Sequence, residues 1–230
     1  MRLSLTSDEL LHFIDKQSYH FFPDKYRLTG NDVSSAFDLG LERMEHCIKH
    51  ITLPGYHDGQ GNPYFSHMHG DQYSQFLFFF SNSLWKTSQN KPLCDKLLFL
   101  NRALMGMFFS YKGGLPDIFV LGHPVGTVLG NAAYSDFLVV FQNVTVNTNC
   151  DENGNVAPKL GKGLFLGTGC KVIGNKNIGD RVSIGVDALV YNQNVPDDSV
   201  VMCGKNGETL VKPRKKETCM AQNYFNVDIV

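Results

Sequence analysis

Between Leu160 and Val190 the aliphatic residues keep an interval of six. Leu160, Leu166, Val172, Ile178, Ile184 and Val190 share one phase, usually with Gly beside them. A helix repeats its apolar face every three to four residues and a lone strand every second one, so neither accounts for the beat. Aliphatic residues with adjacent Gly at this spacing predict a parallel β-helix of short rungs, each turning a corner where Gly accepts the backbone angles. At about 1.5–3 kcal/mol per buried side chain, the six residues contribute on the order of 10 kcal/mol before chain entropy is subtracted. Upstream the beat is looser. It starts at Leu115, Leu121 and Thr127 and resumes at Leu138 and Val144 if the intervening coil is short. Residues 147–158, NTNCDENGNVAP, have no apolar phase and predict an exposed loop. Pro196-Asp197-Asp198 is expected to end the coils, and the terminal NYFNVDIV to pack along their side.

The first half of the chain carries helical spacing instead. Thr6-Ser7-Asp8-Glu9 reads as a capping box before Leu10, Leu11, Phe13 and Ile14, and that helix should stop before Pro23. Asn31-Asp32 is expected to cap a second helix with an apolar stripe of Val33, Phe37, Leu41, Met44 and Ile48, ended by Pro54 and Gly55. A mostly buried helix is predicted over 71–85 and another over 93–109, broken by Gly113-Gly114. The chain therefore divides into an α-helical domain at 1–112, a β-helical domain at 113–203 with its loop at 147–158, and a tail at 204–230.

Composition narrows the partners. Of 230 residues, 43% are hydrophobic and 12% aromatic, which is globular and not disordered. A formal net charge of −1 gives no general attraction to nucleic acid or an anionic membrane, and the basic run Lys212–Lys216 is local. The longest apolar run, Phe76–Phe80, is too short to span a bilayer. Six cysteines without a CxxC pair predict free thiols in a reducing compartment, and the polar N-terminus lacks a signal-peptide core. The expected location is cytoplasmic.

Two places hold chemistry that packing does not require. In the coils the one histidine is His123, in LGHPVG, placed near a corner and able to take a proton from a hydroxyl near neutral pH. In the helical half, His67, His69 and Asp71 crowd the entrance of the third helix.

The run LGHPVGTVLGNAAYSDFLVVFQNVTVN, followed after the loop by PKLGKGLFLGTGCKVIGNKNIGDRVSIGVDALV, resembles the serine acetyltransferase branch of the hexapeptide acyltransferases. His123, Gly130, Gln142, Thr145, Pro158 and Lys159 fall where that pattern places them. The helix beginning near Asp71 and running into Trp85 is similar more loosely. The resemblance implies an α+β fold, an N-terminal α-helical domain followed by a left-handed parallel β-helix of hexapeptide repeats. It implies acetyl-CoA as co-substrate, no metal, and a site shared between subunits of a homotrimer or a dimer of trimers. There His123 would deprotonate a small-molecule acceptor's hydroxyl. Asp71 would orient it or bind the acceptor, with His69 and Gln142 as substrate contacts. Gly167, Thr168 and Gly185 would line the pantetheine, and Lys212 and Arg214 would meet the CoA phosphates.

Two positions depart from the family pattern. Gly122 stands where an Asp usually precedes the His, and Val156-Ala157 where an Arg-His pair usually holds the amino-acid carboxylate. Losing those partners should cost several kcal/mol of serine binding if nothing replaces them. The expected acceptor is therefore a hydroxyl of a sugar or sugar nucleotide, as in surface-polysaccharide modification, with serine as the alternative. A trimeric scaffold without activity is a third reading. A zinc enzyme of the γ-carbonic-anhydrase kind would need about three His ligands, and the coils supply only His123.

Overall fold

Thr6 starts the first helix as its sequence predicts. Its hydroxyl accepts the Glu9 N–H at 3.3 Å, and the Glu9 carboxylate accepts the Thr6 N–H at 2.9 Å. In this computed structural model, which describes every residue except Thr148 and Asp151 and leaves out the Asn149 side chain, that helix, α1, spans Ser7–Phe21. Helices α2 (Asn31–Ile48), α3 (Gly70–Ser88) and α4 (Lys91–Met105) follow. Two of their boundaries differ from the sequence reading. The cap of α2 is Gly30 with no side-chain hydrogen bond, so Asn31 and Asp32 lie inside the first turn. Helix α4 ends at Met105 and not at Phe109, because Gly106 takes a left-handed conformation at φ 62°.

The chain forms two compact units, one of Met1–Lys49 and Leu53–Lys112, the other of His50–Thr52 and Gly113–Val230. In the first, α3 packs against α2 and α4 and is buried continuously from Gln72 to Leu84. Its aromatic core centres on Phe76, whose ring lies 5.5 Å from Phe37 and 5.3 Å from Phe65. Among the described residues no helix is long and apolar enough to cross a membrane.

The second unit is built from short parallel strands in three ladders. Phe165 pairs with Ser183 and Leu166 with Ile184, while Lys171 pairs with Leu189 and Val172 with Val190, each eighteen residues on. Three six-residue steps therefore make one coil. The phase seen in sequence resolves into three buried columns: Leu121, Val140, Leu166, Ile184 and Val201; Leu129, Val146, Val172 and Val190; and Leu160, Ile178 and Val195.

In the irregular coils Leu121 keeps its expected place, and after it the beat sits two residues later than expected. Leu129, Val140 and Val146 hold the column positions, while Thr127, Leu138 and Val144 fill a second buried position two residues earlier. Residues two apart on a strand share a face, so spacing alone could not choose between them. Where Val139 pairs with Phe165 and Thr145 with Lys171 the step is twenty-six residues. The surplus of eight enters the loop, where Asn149–Cys150 pairs antiparallel with Val156–Ala157; the part of that loop at Thr148 and Asp151 lies outside the described residues.

The coils continue past Pro196-Asp197-Asp198. Strand Ser199–Cys203 adds to the ladder, and Thr209–Pro213 folds back antiparallel on it, covering an edge that would otherwise present unpaired backbone groups. Asp198 anchors this hairpin: Arg181 donates Nε and Nη2 to its two oxygens at 2.8 Å, and Arg214 Nη2 donates at 2.6 Å. The tail then crosses the coils. Tyr224 meets Phe141 and Phe165 at 6.2 and 6.1 Å, and Phe225 lies 5.2 Å from Phe137 and bridges to Ile51.

Candidate functional site

His123 follows the strand Phe119–Gly122 and adopts φ 49°, a left-handed backbone that a non-Gly residue holds only when its surroundings fix it. Here they do. The Val125 N–H donates to the His123 carbonyl at 2.8 Å, and the Thr127 N–H to that of Pro124 at 3.1 Å. Thr127, fully buried, donates its hydroxyl to the Phe141 carbonyl at 2.8 Å and accepts the Val144 N–H at 3.2 Å. The turn is tied to the coil beside it, and the imidazole stands exposed at the corner.

The ladder register carries this corner through successive coils. Leu121 pairs with Val140 and Gly122 with Phe141, Val140 with Leu166, and Leu166 with Ile184. Extending that register, His123, Gln142 and Thr168 are equivalent, as are Gly167 and Gly185 one step before. Five of the residues singled out by sequence thus meet at one corner. The Gly169 N–H donates to the Gln142 carbonyl at 3.0 Å and the Asp187 N–H to that of Thr168 at 2.9 Å, so the corner repeats from coil to coil. The Gln142 side-chain oxygen is buried with no hydrogen-bond partner among the described residues, which leaves it open to a donor from outside.

Gly122 has a steric reason. A Cβ there would come within 2.9 Å of the Phe141 ring, which is itself packed 5.5 Å from Phe165. An Asp before His123 could enter only if that ring moved.

The remaining candidates lie elsewhere. Lys212 is exposed on the antiparallel strand opposite Val200. Arg214 is already engaged, by Asp198 and by the carbonyls of Lys216 and Glu217. Both line a groove of about 430 Å³ with Lys215, Lys216, Met202 and Met220. His69 and Asp71 belong to the helical unit. His69 caps α3, its Nδ1 accepting the Gln72 N–H at 3.4 Å, and its ring lies 5.5 Å from Tyr56; Asp71 sits in the first turn. Burial, with the charges of Asp71 and Cys47 adding to it, raises the Tyr56 phenol well above its ordinary value. Among the described residues no three His, Cys, Asp or Glu side chains are gathered as an ion would require.

Sequence reading missed the Thr127 clamp, the Phe141–Phe165–Tyr224 cluster and the Asp198 anchor. Nothing in local spacing signals them, since each joins residues that meet only once the register is known.

No family model matches the chain. It is 32% identical over 120 residues to a serine acetyltransferase of Synechococcus elongatus, covering 51% of this chain and 49% of that one. It is 33% identical over 99 residues to a serine acetyltransferase of Bacillus pumilus, covering 43% and 45%. The chain thus spans about half the length of the curated relatives it matches. Among solved structures, a Brucella melitensis serine O-acetyltransferase described as a bacterial transferase hexapeptide repeat aligns at TM-score 0.67. The alignment has 18% identity and covers 93% of this chain and 87% of that one. A Neisseria gonorrhoeae serine acetyltransferase aligns at TM-score 0.64 with 20% identity, covering 83% and 73%. The chain shares its fold with these hexapeptide-repeat structures, and over about half of its length its sequence is similar to serine acetyltransferases.

Proposed function

We propose that the protein is an acetyl-CoA-dependent O-acetyltransferase whose coils wind left-handed into a closed three-sided prism. The observation that carries the reading is the corner on which His123, Gln142 and Thr168 recur in register with Gly167 and Gly185. An imidazole nitrogen of His123 takes the proton of the acceptor hydroxyl as its oxygen attacks the thioester carbonyl. The carbon–sulfur bond then breaks, and the imidazolium returns the proton to the departing thiolate. Gln142 offers its unspent oxygen to a donor of the acceptor. Pantetheine lies along the corner at Gly167, Thr168 and Gly185, where the two glycines let successive coils stack closely, and Lys212 meets CoA phosphate. Arg214 keeps a share in that contact only through whatever its bonds to Asp198 leave unspent. Asp71 and His69 stay in the reading as sequence-based candidates for orienting the base and contacting the acceptor.

Serine is the acceptor that the names of the relatives favour. A sugar or sugar-nucleotide hydroxyl is the second reading, favoured by the uncharged Val156-Ala157 and by the Phe141 ring beside Gly122. The reading includes a homotrimer or a dimer of trimers and, with six free thiols, a cytoplasmic setting.

His123→Ala should lower kcat by about a hundredfold to ten-thousandfold in a thiol-release assay with acetyl-CoA and serine or sugar acceptors, with CoA binding retained. Turnover at the wild-type rate would remove His123 from the reaction.

A further inference from the structure

We infer that the coil corner beneath the 147–158 loop binds an oxyanion, and that this oxyanion belongs to the acceptor. The second clause rests on the acetyltransferase reading; the first does not.

The corner encloses about 310 Å³ and is walled by Val156, Ala157, Lys159, Asn175, Lys176, Asn177 and Asn194. Asn177 and Asn194 form a ladder. The Lys159 N–H donates to Asn177 Oδ1 at 3.1 Å, and the Asn177 N–H donates to Asn194 Oδ1 at 2.9 Å. A backbone N–H can only donate, so each amide must turn its oxygen to the backbone and keep its NH2 as the unspent group. Neither Asn177 Nδ2 nor Asn194 Nδ2 has an acceptor among the described residues, and neither the Lys159 nor the Lys176 ammonium has an ion-pair partner there. Among the described residues no carboxylate lines the opening. Around the ladder the wall thus offers two ammonium groups and two amide NH2 groups, while the Asn177 and Asn194 oxygens are used and Asn175 spends an N–H on the Cys150 carbonyl at 3.5 Å. That is the donor set of a carboxylate or a phosphate monoester, whose oxygens accept charge-assisted hydrogen bonds.

The position gives the site its place in the reaction. Val156 and Ala157 bring no charge to this wall, yet Lys176 and Lys159 bring two. This corner is not the one that carries His123, so an acceptor held here meets a histidine from a second copy of the chain. That fits a site completed between copies.

The test begins with inorganic phosphate and no acyl donor. Phosphorus NMR line broadening should titrate as a saturable site at one per chain, weakened at least tenfold in Lys159→Ala/Lys176→Ala and kept in Lys176→Arg. Broadening that never saturates, or that is unchanged in the double variant, overturns the site.

The acceptor arms follow by thiol release, comparing L-serine with L-serine methyl ester and a hexose 1-phosphate with the free hexose. The anionic member of the productive pair should be preferred in kcat/KM, and the double variant should lose that preference while KM for acetyl-CoA stays constant. Equal use of charged and neutral acceptors, or a raised KM for acetyl-CoA instead, overturns the acceptor assignment while acetyl transfer stands. Absence of turnover with every acceptor sinks the acetyltransferase reading and the acceptor assignment with it, and leaves the phosphate titration to decide the site.

Discussion

The two units solve the same burial problem in opposite ways. In the helical unit one element, α3, is surrounded, and a few large aromatic rings interlock around it. In the coiled unit no element is surrounded; small aliphatic side chains stack in three columns, and each rung touches the ones above and below. A surrounded helix shares every defect with the whole unit, whereas a stacked rung shares it with its neighbours. The largest expected effect is therefore on α3. Phe76→Ala should destabilise the helical unit by about 3–5 kcal/mol, read as a lowered urea midpoint, because the ring contacts Phe37, Phe65 and Phe80 together. A loss below about 1 kcal/mol would mean that these rings repack around the space.

The same contrast governs what could be read from the chain. Period is a property of single residues, so the capping box at Thr6 and the columns from Leu160 onward were legible. Phase is a property of neighbours. The irregular coils offer two buried positions per rung, and only the pairing of Leu121 with Val140 selects between them. Boundaries failed where one backbone residue decided, as Gly106 does for α4 and Gly30 for α2. Of the site, the corner residues His123 and Gln142 were reachable because they matched a family pattern at their own positions. The Asn177–Asn194 ladder was not, since its meaning depends on which coil lies over which.

A rung can be broken locally at Gly169. Its φ is 72°, and a Cβ would fall 2.2 Å from Asp187 Oδ1 on the adjacent coil. Gly169→Ala asks for a left-handed Ala and a displaced Asp187, a cost of about 1–3 kcal/mol. Hydrogen exchange should show protection falling at Gly169, Cys170 and Ala188 and holding at Leu160, on another ladder, and at Val201, two rungs along from Leu166. Protection lost evenly across the coiled unit would show that it unfolds as one cooperative body and erase the distinction from α3.

The smallest effect compares two clamps. In the helical unit, burial pushes the Asp15 carboxyl upward, but the Arg27 guanidinium and the Leu28 N–H, which donates to Oδ1 at 2.8 Å, outweigh it and leave the pKa lowered. In the coiled unit Asp198 is about half exposed, and Arg181 and then Arg214 hold its carboxyl far below the usual carboxylate range. A depressed folded-state pKa means that the native form binds fewer protons than the unfolded one. The stabilisation is therefore complete above the unfolded value of about 3.9 and fades as pH falls toward the folded value. Wild type should lose urea resistance between pH 5 and pH 3 more steeply than Asp198→Asn, which cannot titrate there. Because the hairpin at Thr209–Pro213 is tied down by this residue, the difference should also appear as faster exchange of the Val200 and Val201 amides in acid. Parallel slopes for the two proteins would show that the paired guanidiniums hold the hairpin by geometry alone, with the charge of Asp198 contributing nothing measurable.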